Sequence, residues 1–289
     1  MKIDVTPFRV GEGEKVSLAE RPTLVDPFYD SKGDYKDILA DHVDDLSKLQ
    51  EHLYRSAGCA LLLVLQGMDT AGKDGAIAHV MSGVNPQGCK VASFKQPTQN
   101  ELLHDFLWRC ARELPERGII GVFNRSYYEP VLVVRVHPEM LRQEGIHDPK
   151  GDLDAVWADR YRSIRDFERH LHVNRTRIVK IFLHISKEEQ LRRLQSRLDT
   201  PEKSWKISQA DVVERKYWKD YVNAYEQALG GTSVADAPWW VVPADDKPNA
   251  RLIVSQIVIN TLKSLNLTPP PMDAEQKHEL KEIRRQLEK

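Results

Sequence analysis

The residues whose types and spacing most clearly indicate chemistry lie in the segment Gly67-Met-Asp-Thr-Ala-Gly-Lys-Asp-Gly75. This segment follows the apolar run 60–65, with only Gln66 between them. Its spacing matches the pattern G-x-x-x-x-G-K of a phosphate-binding loop, in which backbone N–H groups and a lysine hold phosphate oxygens. The serine or threonine that usually follows the lysine and holds Mg²⁺ is replaced here by Asp74. Two interpretations follow, a chance match or a phosphate-handling protein that holds its metal differently.

Two charged side chains give this segment more specific chemistry. Lys73 supplies a point charge for bridging phosphate oxygens, and the helix that begins near it adds the positive end of its dipole. Asp69 would repel phosphate, which suggests that it holds Mg²⁺ or orients the attacking oxygen. The alternatives are a capping role for Asp69 and, for the whole segment, a glycine turn with a surface lysine. The predicted strand before it and helix after it favour phosphate binding.

A second polar segment, Phe123-Asn-Arg-Ser-Tyr-Tyr-Glu129, leaves the end of another strand candidate. Phosphate-loop proteins place a metal-holding acid at this position. Asn124 occupies it here, and Glu129 is the nearest carboxylate. Arg125 and Arg135 could reach phosphates or pair with acids, and a structural ion pair is the alternative for either of them.

A basic run extends from residue 190 to residue 208. It carries five cations against two acids, and the cations are Arg192, Arg193, Arg197, Lys203 and Lys206. Arg193 and Arg197 lie four residues apart, so they share one face of a helix. In phosphoryl transfer, a helical lid of this kind closes over the phosphates. A solvated helix face is the alternative interpretation.

The composition limits the possible classes of protein. The 42 basic and 43 acidic side chains of the 289 residues leave a net charge of -1, so a polyanion could bind only through local clustering. Bulk nucleic-acid binding is therefore disfavoured. Three cysteines without metal-ligand spacing are interpreted as buried thiols in a reducing compartment. No apolar run reaches the roughly 18 residues that span a bilayer, and residues 1–10 do not resemble a secretory signal, so we expect a cytoplasmic protein without membrane contact.

The hydrophobic pattern predicts elements that would bring these segments together. Strands are predicted at 60–66, 90–94, 118–123, 177–185 and 239–243. Helices are predicted at 35–56, 73–84, 101–114, 160–172, 187–198, 211–229 and 249–265, between an N-terminal arm 1–34 with little regular structure and a charged tail helix. Ser186 is predicted to cap its helix, with Glu189 completing a capping box. Strands that alternate with helices indicate a parallel sheet covered on both faces, with ligands beyond the carboxyl ends of its strands.

Taken together, these segments resemble the phosphate-loop family of polyphosphate kinases, family 2. Further matching segments are 93–97, 131–136, 164–168, 182–186, 201–206 and 237–245, and the likeness runs from about residue 8 to residue 265. The resemblance implies an α/β, three-layer P-loop kinase of the thymidylate-kinase type, with a parallel sheet and a helical lid. It implies one domain over 1–289, with an N-terminal arm and helix at 1–56, a lid at about 186–219 and a C-terminal tail helix at 269–289.

The same resemblance implies a reaction and its partners. The terminal phosphoryl group of inorganic polyphosphate would pass reversibly to ADP or GDP, and to AMP or GMP, with Mg²⁺ or in its place Mn²⁺. Adenine and guanine nucleotides would be the small-molecule partners, and a homo-oligomer is expected. The alternative is a nucleoside monophosphate kinase that takes phosphate from a nucleoside triphosphate, because one loop type serves both donors. A non-catalytic binding protein is disfavoured because Asp69 and Lys73 are both present.

The resemblance also implies roles for individual residues. Catalysis would fall to Asp69, Lys73, Arg125 and Glu129, with Asp69 holding the metal. Substrate binding would fall to Gly67, Met68, Thr70, Ala71, Gly72, Asp74, Gly75, Asn124, Arg135, Arg193, Arg197, Lys203 and Lys206. The pair Asn124 and Glu129 is similar to the subgroup that accepts both nucleoside monophosphates and diphosphates. Pro130 departs from relatives that usually carry a second acid at that position.

Overall fold

The computed structural model describes residues 2–146, 152–204, 207, 209–267 and 274–288. Within these residues, five parallel strands form one sheet in the order β2-β3-β1-β4-β5. The strands are β1 Ala60–Gly67, β2 Cys89–Ser93, β3 Ile120–Asn124, β4 Thr176–His184 and β5 Trp239–Pro243. Each lies within two residues of its predicted bounds. The central strand β1 is buried along its whole length, which explains its unbroken run of apolar residues.

Helices cover both faces of the sheet, which confirms the predicted three-layer α/β fold. The helices are α1 Lys32–Ser56, α2 Lys73–Val80, α3 Gln99–Leu102, α4 Trp108–Ala111, α5 Glu129–Val136, α6 Leu153–Val173, α7 Lys187–Leu198, α8 Pro201–Ser204, α9 Gln209–Glu214, α10 Trp218–Thr232, α11 Lys247–Ser264 and α12 Ala274–Leu287. One layer contains α1, α2 and α11, and the other contains α5, α6 and α10. No helix in the described ranges is long and apolar enough to cross a membrane.

Helix α1 is an internal part of the fold. The Ser31 hydroxyl accepts a hydrogen bond from the Asp34 N–H at its start, and Ala57 ends it in the left-handed conformation with φ 44°. Leu46 and Leu53 are fully buried on its inner face, and the helix packs against α11. Core packing therefore accounts for its apolar stripe, and the expected homo-oligomer stays a prediction.

The N-terminal arm is more ordered than its sequence predicts. It contains two short 3₁₀ turns, Thr6–Phe8 and Leu18–Glu20, and it buries most of its apolar side chains, including that of Phe8. The Val10 N–H donates to the Trp239 carbonyl over 2.9 Å, so the arm lies along the outer edge of β5. An exposed strand edge is thereby covered by the chain itself.

Two helices predicted as continuous are interrupted. In place of the helix predicted at 101–114, the segment 99–111 forms the short helices α3 and α4, because the Asp105 carboxylate accepts the Leu107 N–H over 2.9 Å and replaces a helical hydrogen bond. The segment 211–229 is divided into α9, a 3₁₀ turn Arg215–Tyr217 and α10. The predicted tail helix is present as α12, while residues 269–273 and 289 lie outside the described residues.

The strand register brings the polar segments to one edge of the sheet. Leu65 of β1 lies beside Asn124 of β3, Gly67 lies beside Leu183 of β4, and His184 lies beside Pro243 of β5. The carboxyl ends of neighbouring strands are therefore level with one another. The loop that joins β1 to α2 occupies the middle of this edge, where parallel α/β sheets bind ligands.

Candidate active site

The backbone of the loop between β1 and α2 depends on its glycines and on one strained residue. A Cβ at Gly67 would lie 2.9 Å from the Ala71 Cβ and 3.0 Å from the Leu183 carbonyl oxygen, so no side chain fits. Gly72 adopts φ 103°, which favours glycine. Thr70 adopts φ 66°, a conformation that costs a non-glycine residue roughly 1–3 kcal/mol. Its buried hydroxyl has no hydrogen-bond partner among the described residues.

The Lys73 ammonium group is folded back onto the start of the loop. It donates to the Gly67 carbonyl over 2.7 Å and to the Met68 carbonyl over 3.3 Å. Burial lowers the pKa of Lys73 to about 8, and the nearby Arg125 guanidinium adds to this shift against the opposing effect of neighbouring carboxylates. Lys73, the one cation of the segment 67–75, is therefore more easily deprotonated than an ordinary lysine.

Two side chains of α7 hold the next three loop carbonyls. Gln190 donates from Nε2 to the Asp69 carbonyl over 3.2 Å. Arg193, one turn further along, donates from Nη1 to the Thr70 and Ala71 carbonyls over 3.0 and 2.9 Å. With Lys73, these bonds engage five consecutive carbonyls, so the loop carbonyls are directed away from a phosphate. The first N–H groups of a helix have no carbonyl partner within it, so those at the start of α2 can serve a phosphate.

The Arg193 guanidinium group has a structural role. Besides the two loop carbonyls, it donates from Nη2 to the Ala244 and Asp245 carbonyls and from Nε to the Glu189 carboxylate. These contacts use all five of its N–H donors. Arg193 thus connects the loop to the end of β5, and this geometry leaves it no donor for the predicted contact with polyphosphate.

Glu189 does not complete the predicted capping box. The Ser186 hydroxyl accepts the Glu189 N–H over 3.0 Å, as a helix cap should. The Glu189 carboxylate, however, binds the Arg192 and Arg193 guanidinium groups over 2.6 Å. The Ser186 N–H donates to the Asp245 carboxylate over 2.8 Å instead. The Ser186 cap is therefore present, while ion pairing to two arginines takes the Glu189 carboxylate away from the capping box.

Arg125 connects the loop to the segment that follows β3. Its Nη2 lies 3.0 Å from the Asp69 Oδ1 atom, and its Nη1 lies 3.3 Å from the Glu129 Oε2 atom. Burial opposes its charge, but Glu129 and Asp69 outweigh burial and raise the pKa of Arg125. Beside this cluster, Asn124 donates to the Asp74 carboxylate over 2.7 Å. Arg125 adopts φ 62°, so a second strained residue lies at the site.

A cleft of about 950 Å³ opens on one side of the loop and is strongly cationic. Three carboxylates line it, those of Asp69, Asp74 and Asp211. Eight cations line it, and these are Lys73, Lys95, Arg125, Arg192, Arg193, Arg197, Lys247 and Arg251. Burial and the nearby Arg193 lower the pKa of Lys247, a sign of the local positive potential. A chain whose net charge is -1 therefore concentrates positive charge at its phosphate loop.

A smaller cavity of about 50 Å³ lies on the other side of the Asp69–Arg125 pair. These two residues line both spaces. Glu129 lines only the smaller cavity, and so do the aromatic rings of Trp218, Tyr221 and Tyr225. Asp211 lines both spaces as well, so Asp69, Arg125 and Asp211 are the charged groups that a ligand on either side would meet.

Most of the predicted site residues converge on these two spaces. The cleft is lined by Asp69, Thr70, Ala71, Gly72, Lys73, Asp74, Gly75, Asn124, Arg125, Arg193 and Arg197, and the smaller cavity by Gly67, Met68, Asp69, Arg125 and Glu129. Arg135 lies elsewhere, with its Nη1 3.2 Å from the Tyr161 hydroxyl and its guanidinium over the Trp157 ring. The Lys203 side chain and the whole of Lys206 fall outside what the structure describes.

Some residues of the site are missing from the sequence-based prediction. Gln190 and Tyr225 line the smaller cavity, and Lys95 lines the cleft. Gln190 lies three residues before Arg193 on the same helix face, so helical spacing could have indicated it. No comparable local signal marks Tyr225, which reaches the site from α10.

A buried polar network supports the site from below. Lys180 of β4 donates to the Glu168 carboxylate over 2.7 Å and to the Tyr128 hydroxyl over 3.1 Å. The hydroxyls of Tyr127 and Tyr128 donate to the other Glu168 oxygen over 3.0 and 2.9 Å. Both charged side chains are fully buried. Because the two tyrosines directly precede Glu129, the network fixes the start of α5 beneath the cluster of Arg125.

Comparisons with known proteins agree on one family. Residues 29–269 match the family model described as Polyphosphate kinase 2 (PPK2). The chain is 57% identical to an ADP-polyphosphate phosphotransferase of Rhodopseudomonas palustris over 99% of both chains. It is 47% identical to an AMP/ADP-polyphosphate phosphotransferase of Meiothermus ruber, over 80% of this chain and 83% of the relative. The crystal structure of Polyphosphate Kinase 2 from Arthrobacter aurescens TC1 superimposes with a TM-score of 0.84 at 42% identity, covering 96% of this chain and 98% of the other.

Proposed function

Because this chain belongs to the polyphosphate kinase 2 family, we propose that it transfers the terminal phosphoryl group of inorganic polyphosphate to a nucleotide. The observation that carries this proposal is the cleft of about 950 Å³ at the phosphate loop, with eight cations and three carboxylates in its lining. An open cationic cleft suits a flexible polyanion better than a closed pocket does. Two of the relatives are named for phosphotransfer between polyphosphate and ADP or AMP, which supports the same reaction.

The chain's own residues have distinct tasks in this reaction. The N–H groups at the start of α2 and the Lys73 ammonium group bind phosphate oxygens, for which Lys73 must leave the carbonyls that it now contacts. Arg125 stabilises charge on the phosphoryl group in transfer, since it lies where the two spaces meet. No covalent intermediate is required, because positioning and charge stabilisation suffice for phosphoryl transfer.

A divalent metal ion fits one carboxylate of the site. The described residues contain no group of three or more His, Cys, Asp or Glu side chains placed to hold a metal ion. Mg²⁺ usually keeps several waters and binds through one or two carboxylates together with substrate phosphates. Two carboxylates line both spaces, those of Asp69 and Asp211, and we propose Asp69 for this role because it belongs to the phosphate loop. Bound there, Mg²⁺ or Mn²⁺ would neutralise phosphate charge.

The donor is tested with pure protein, ADP, Mg²⁺ and long-chain polyphosphate, with ATP formation as the measurement. ATP that forms only when polyphosphate is present supports the proposal. Absence of ATP, together with transfer from a nucleoside triphosphate to a nucleoside monophosphate, would favour the alternative kinase. The relatives' names do not favour that alternative.

The acceptor range is proposed to include nucleoside diphosphates and monophosphates of adenine and guanine. One relative is named for both AMP and ADP, and the pair Asn124 and Glu129 is similar to the subgroup that accepts both. Pro130, at the position where relatives usually carry a second acid, lies in the first turn of α5. Its carbonyl accepts a hydrogen bond from Arg160 over 2.9 Å. The same assay with AMP, ADP, GMP and GDP in parallel measures the preference.

A further inference from the structure

Gln190 makes one polar contact through each polar atom of its amide group. Its Nε2 donates to the Asp69 carbonyl over 3.2 Å, and its Oε1 accepts from the Arg215 Nη1 over 2.7 Å. Gln190 is only 5% exposed, so little water competes for its amide group. One buried amide therefore connects the backbone of the phosphate loop to residue 215, which is 25 positions further along the chain.

Arg215 belongs to the segment Gln209–Tyr217, which we call the bridging segment. The same Nη1 of Arg215 donates to the Lys187 carbonyl over 2.8 Å, at the first turn of α7. On its other side, the bridging segment is held through Glu214, whose carboxylate contacts His137 over 3.0 Å and Tyr221 over 2.7 Å. Both Glu214 and Arg215 line the smaller cavity.

The position of the Asp69 carboxylate depends on the backbone that Gln190 holds. Asp69 is followed directly by Thr70 in a strained conformation, and such a conformation persists only where surrounding contacts determine it. Loss of the Gln190 bond would release the Asp69 carbonyl and allow its carboxylate to move relative to Arg125. A misplacement of about 1 Å costs roughly 100-fold in rate when reacting groups must be aligned.

We infer that Gln190 is a positioning residue, which couples the bridging segment to the placement of the Asp69 carboxylate. This inference rests on the proposed phosphoryl transfer. A ligand that contacts the bridging segment would thereby influence the phosphate loop through one side chain. Arg193 lies beside Gln190 and holds the next two carbonyls, but its contacts run to the end of β5. Gln190 is therefore the α7 side chain that contacts both the phosphate loop and the bridging segment.

Three substitutions separate the two contacts of Gln190. Gln190→Met removes both while keeping the length of the side chain. Gln190→Glu can still accept from Arg215 but has no N–H to donate to the Asp69 carbonyl. Arg215→Met removes the contact to the bridging segment and leaves the contact to the loop. Gln195→Met is the matched control, because Gln195 lies on the exposed face of the same helix and outside both spaces.

The measurements are kcat and KM with polyphosphate and ADP, together with urea unfolding of every variant. We expect Gln190→Met and Gln190→Glu to lower kcat by roughly 10- to 100-fold, as loss of a supporting contact does, with KM changed much less. Gln195→Met should match the original chain. Arg215→Met should lower kcat in the original chain but have little further effect in the Gln190→Met background, because the two side chains act through one contact.

Several outcomes would overturn the inference. A folded Gln190→Met protein with a kcat near that of the original chain would do so, and so would effects of Gln190→Met and Arg215→Met that simply multiply. If Gln190→Met unfolds, Gln190→Glu and Arg215→Met decide the question by the same criterion. An original chain that uses only a nucleoside triphosphate overturns the proposed donor, and the same comparison with that donor then tests Gln190 alone. Inactivity with both donors overturns both proposals.

Discussion

Asp69 lies where the two spaces of the site meet, and its loop carries charges of both signs. The carboxylate is paired with Arg125 over 3.0 Å, while its own carbonyl is held by Gln190 over 3.2 Å. A phosphate that enters the cleft meets this carboxylate beside the Lys73 ammonium group. Asp74 replaces the usual serine or threonine, and its carboxylate accepts a hydrogen bond from Asn124, which stands where related loops carry a metal-holding acid.

Substitution of the two charged loop residues tests their proposed roles. Asp69→Asn and Lys73→Ala should each lower the rate of transfer by at least about 100-fold, as loss of a preorganised charge in an active site does. Lys90→Ala is the control for a lysine, since Lys90 is exposed and pairs with Glu113 away from the cleft. Thermal unfolding should show that the variants remain folded. Near-normal activity of either loop variant would contradict the site assignment.

The pH dependence of transfer should report the ionisation of Lys73. Its pKa of about 8 in the free protein means that the ammonium form is lost as the pH rises through 8. We therefore expect kcat/KM, which follows the free enzyme, to decline above about pH 8. Bound phosphate stabilises the charged form, so the decline in kcat should lie at higher pH. Lys73→Arg stays protonated, and an unchanged alkaline decline in that variant would exclude Lys73 as its cause.

Among the secondary-structure elements, the strands were predictable and several contacts between elements were not. Strand β1 is buried on both faces, so its apolar run identified it, and the glycines after it identified the loop. The interruption between α3 and α4 depends on the Asp105 side chain, which competes with the backbone in a segment of helical periodicity. The contacts of Arg193 to the loop and to the end of β5 require α7 and β5 to lie beside the loop. No local sequence pattern contains this tertiary arrangement.

The buried pair of Glu168 and Lys180 joins α6 to β4 and fixes the start of α5. Lys180→Met leaves the Glu168 carboxylate buried without its cation, so we expect the free energy of unfolding to fall by about 3–5 kcal/mol. The double variant Glu168→Leu with Lys180→Met should recover part of this loss, because neither charge remains. Urea unfolding measures the free energy of unfolding of the original chain, the single variant and the double variant.

The matched control for this pair is Lys263→Met. Lys263 pairs with Asp45 over 2.9 Å, but both side chains are about half exposed. Such surface pairs contribute roughly 0–1 kcal/mol. If Lys180→Met lowers the free energy of unfolding no more than Lys263→Met does, burial does not increase the contribution of the Glu168–Lys180 pair to stability.

On the scale of the whole molecule, the cleft collects eight of the 42 basic side chains against three carboxylates. The net charge of -1 gives no general attraction for a polyanion. The cleft obtains its cations from separate elements, with Lys95 after β2, Arg197 on α7 and Lys247 at the start of α11. No acidic partner of these three lies within salt-bridge distance in the ranges that the structure describes. Their charge is therefore available to a ligand.

Salt dependence should distinguish this localised field from a general one. Binding of a polyanion releases counterions, so the logarithm of KM for polyphosphate should rise linearly with the logarithm of the salt concentration. Arg197→Gln with Lys247→Gln should raise KM and lower this slope by roughly one for each phosphate contact removed. Arg55→Gln is the control, because Arg55 lies on the exposed surface of α1, paired with Glu51. An equal slope in the double variant and the control would mean that these two cations do not contact the chain of phosphates.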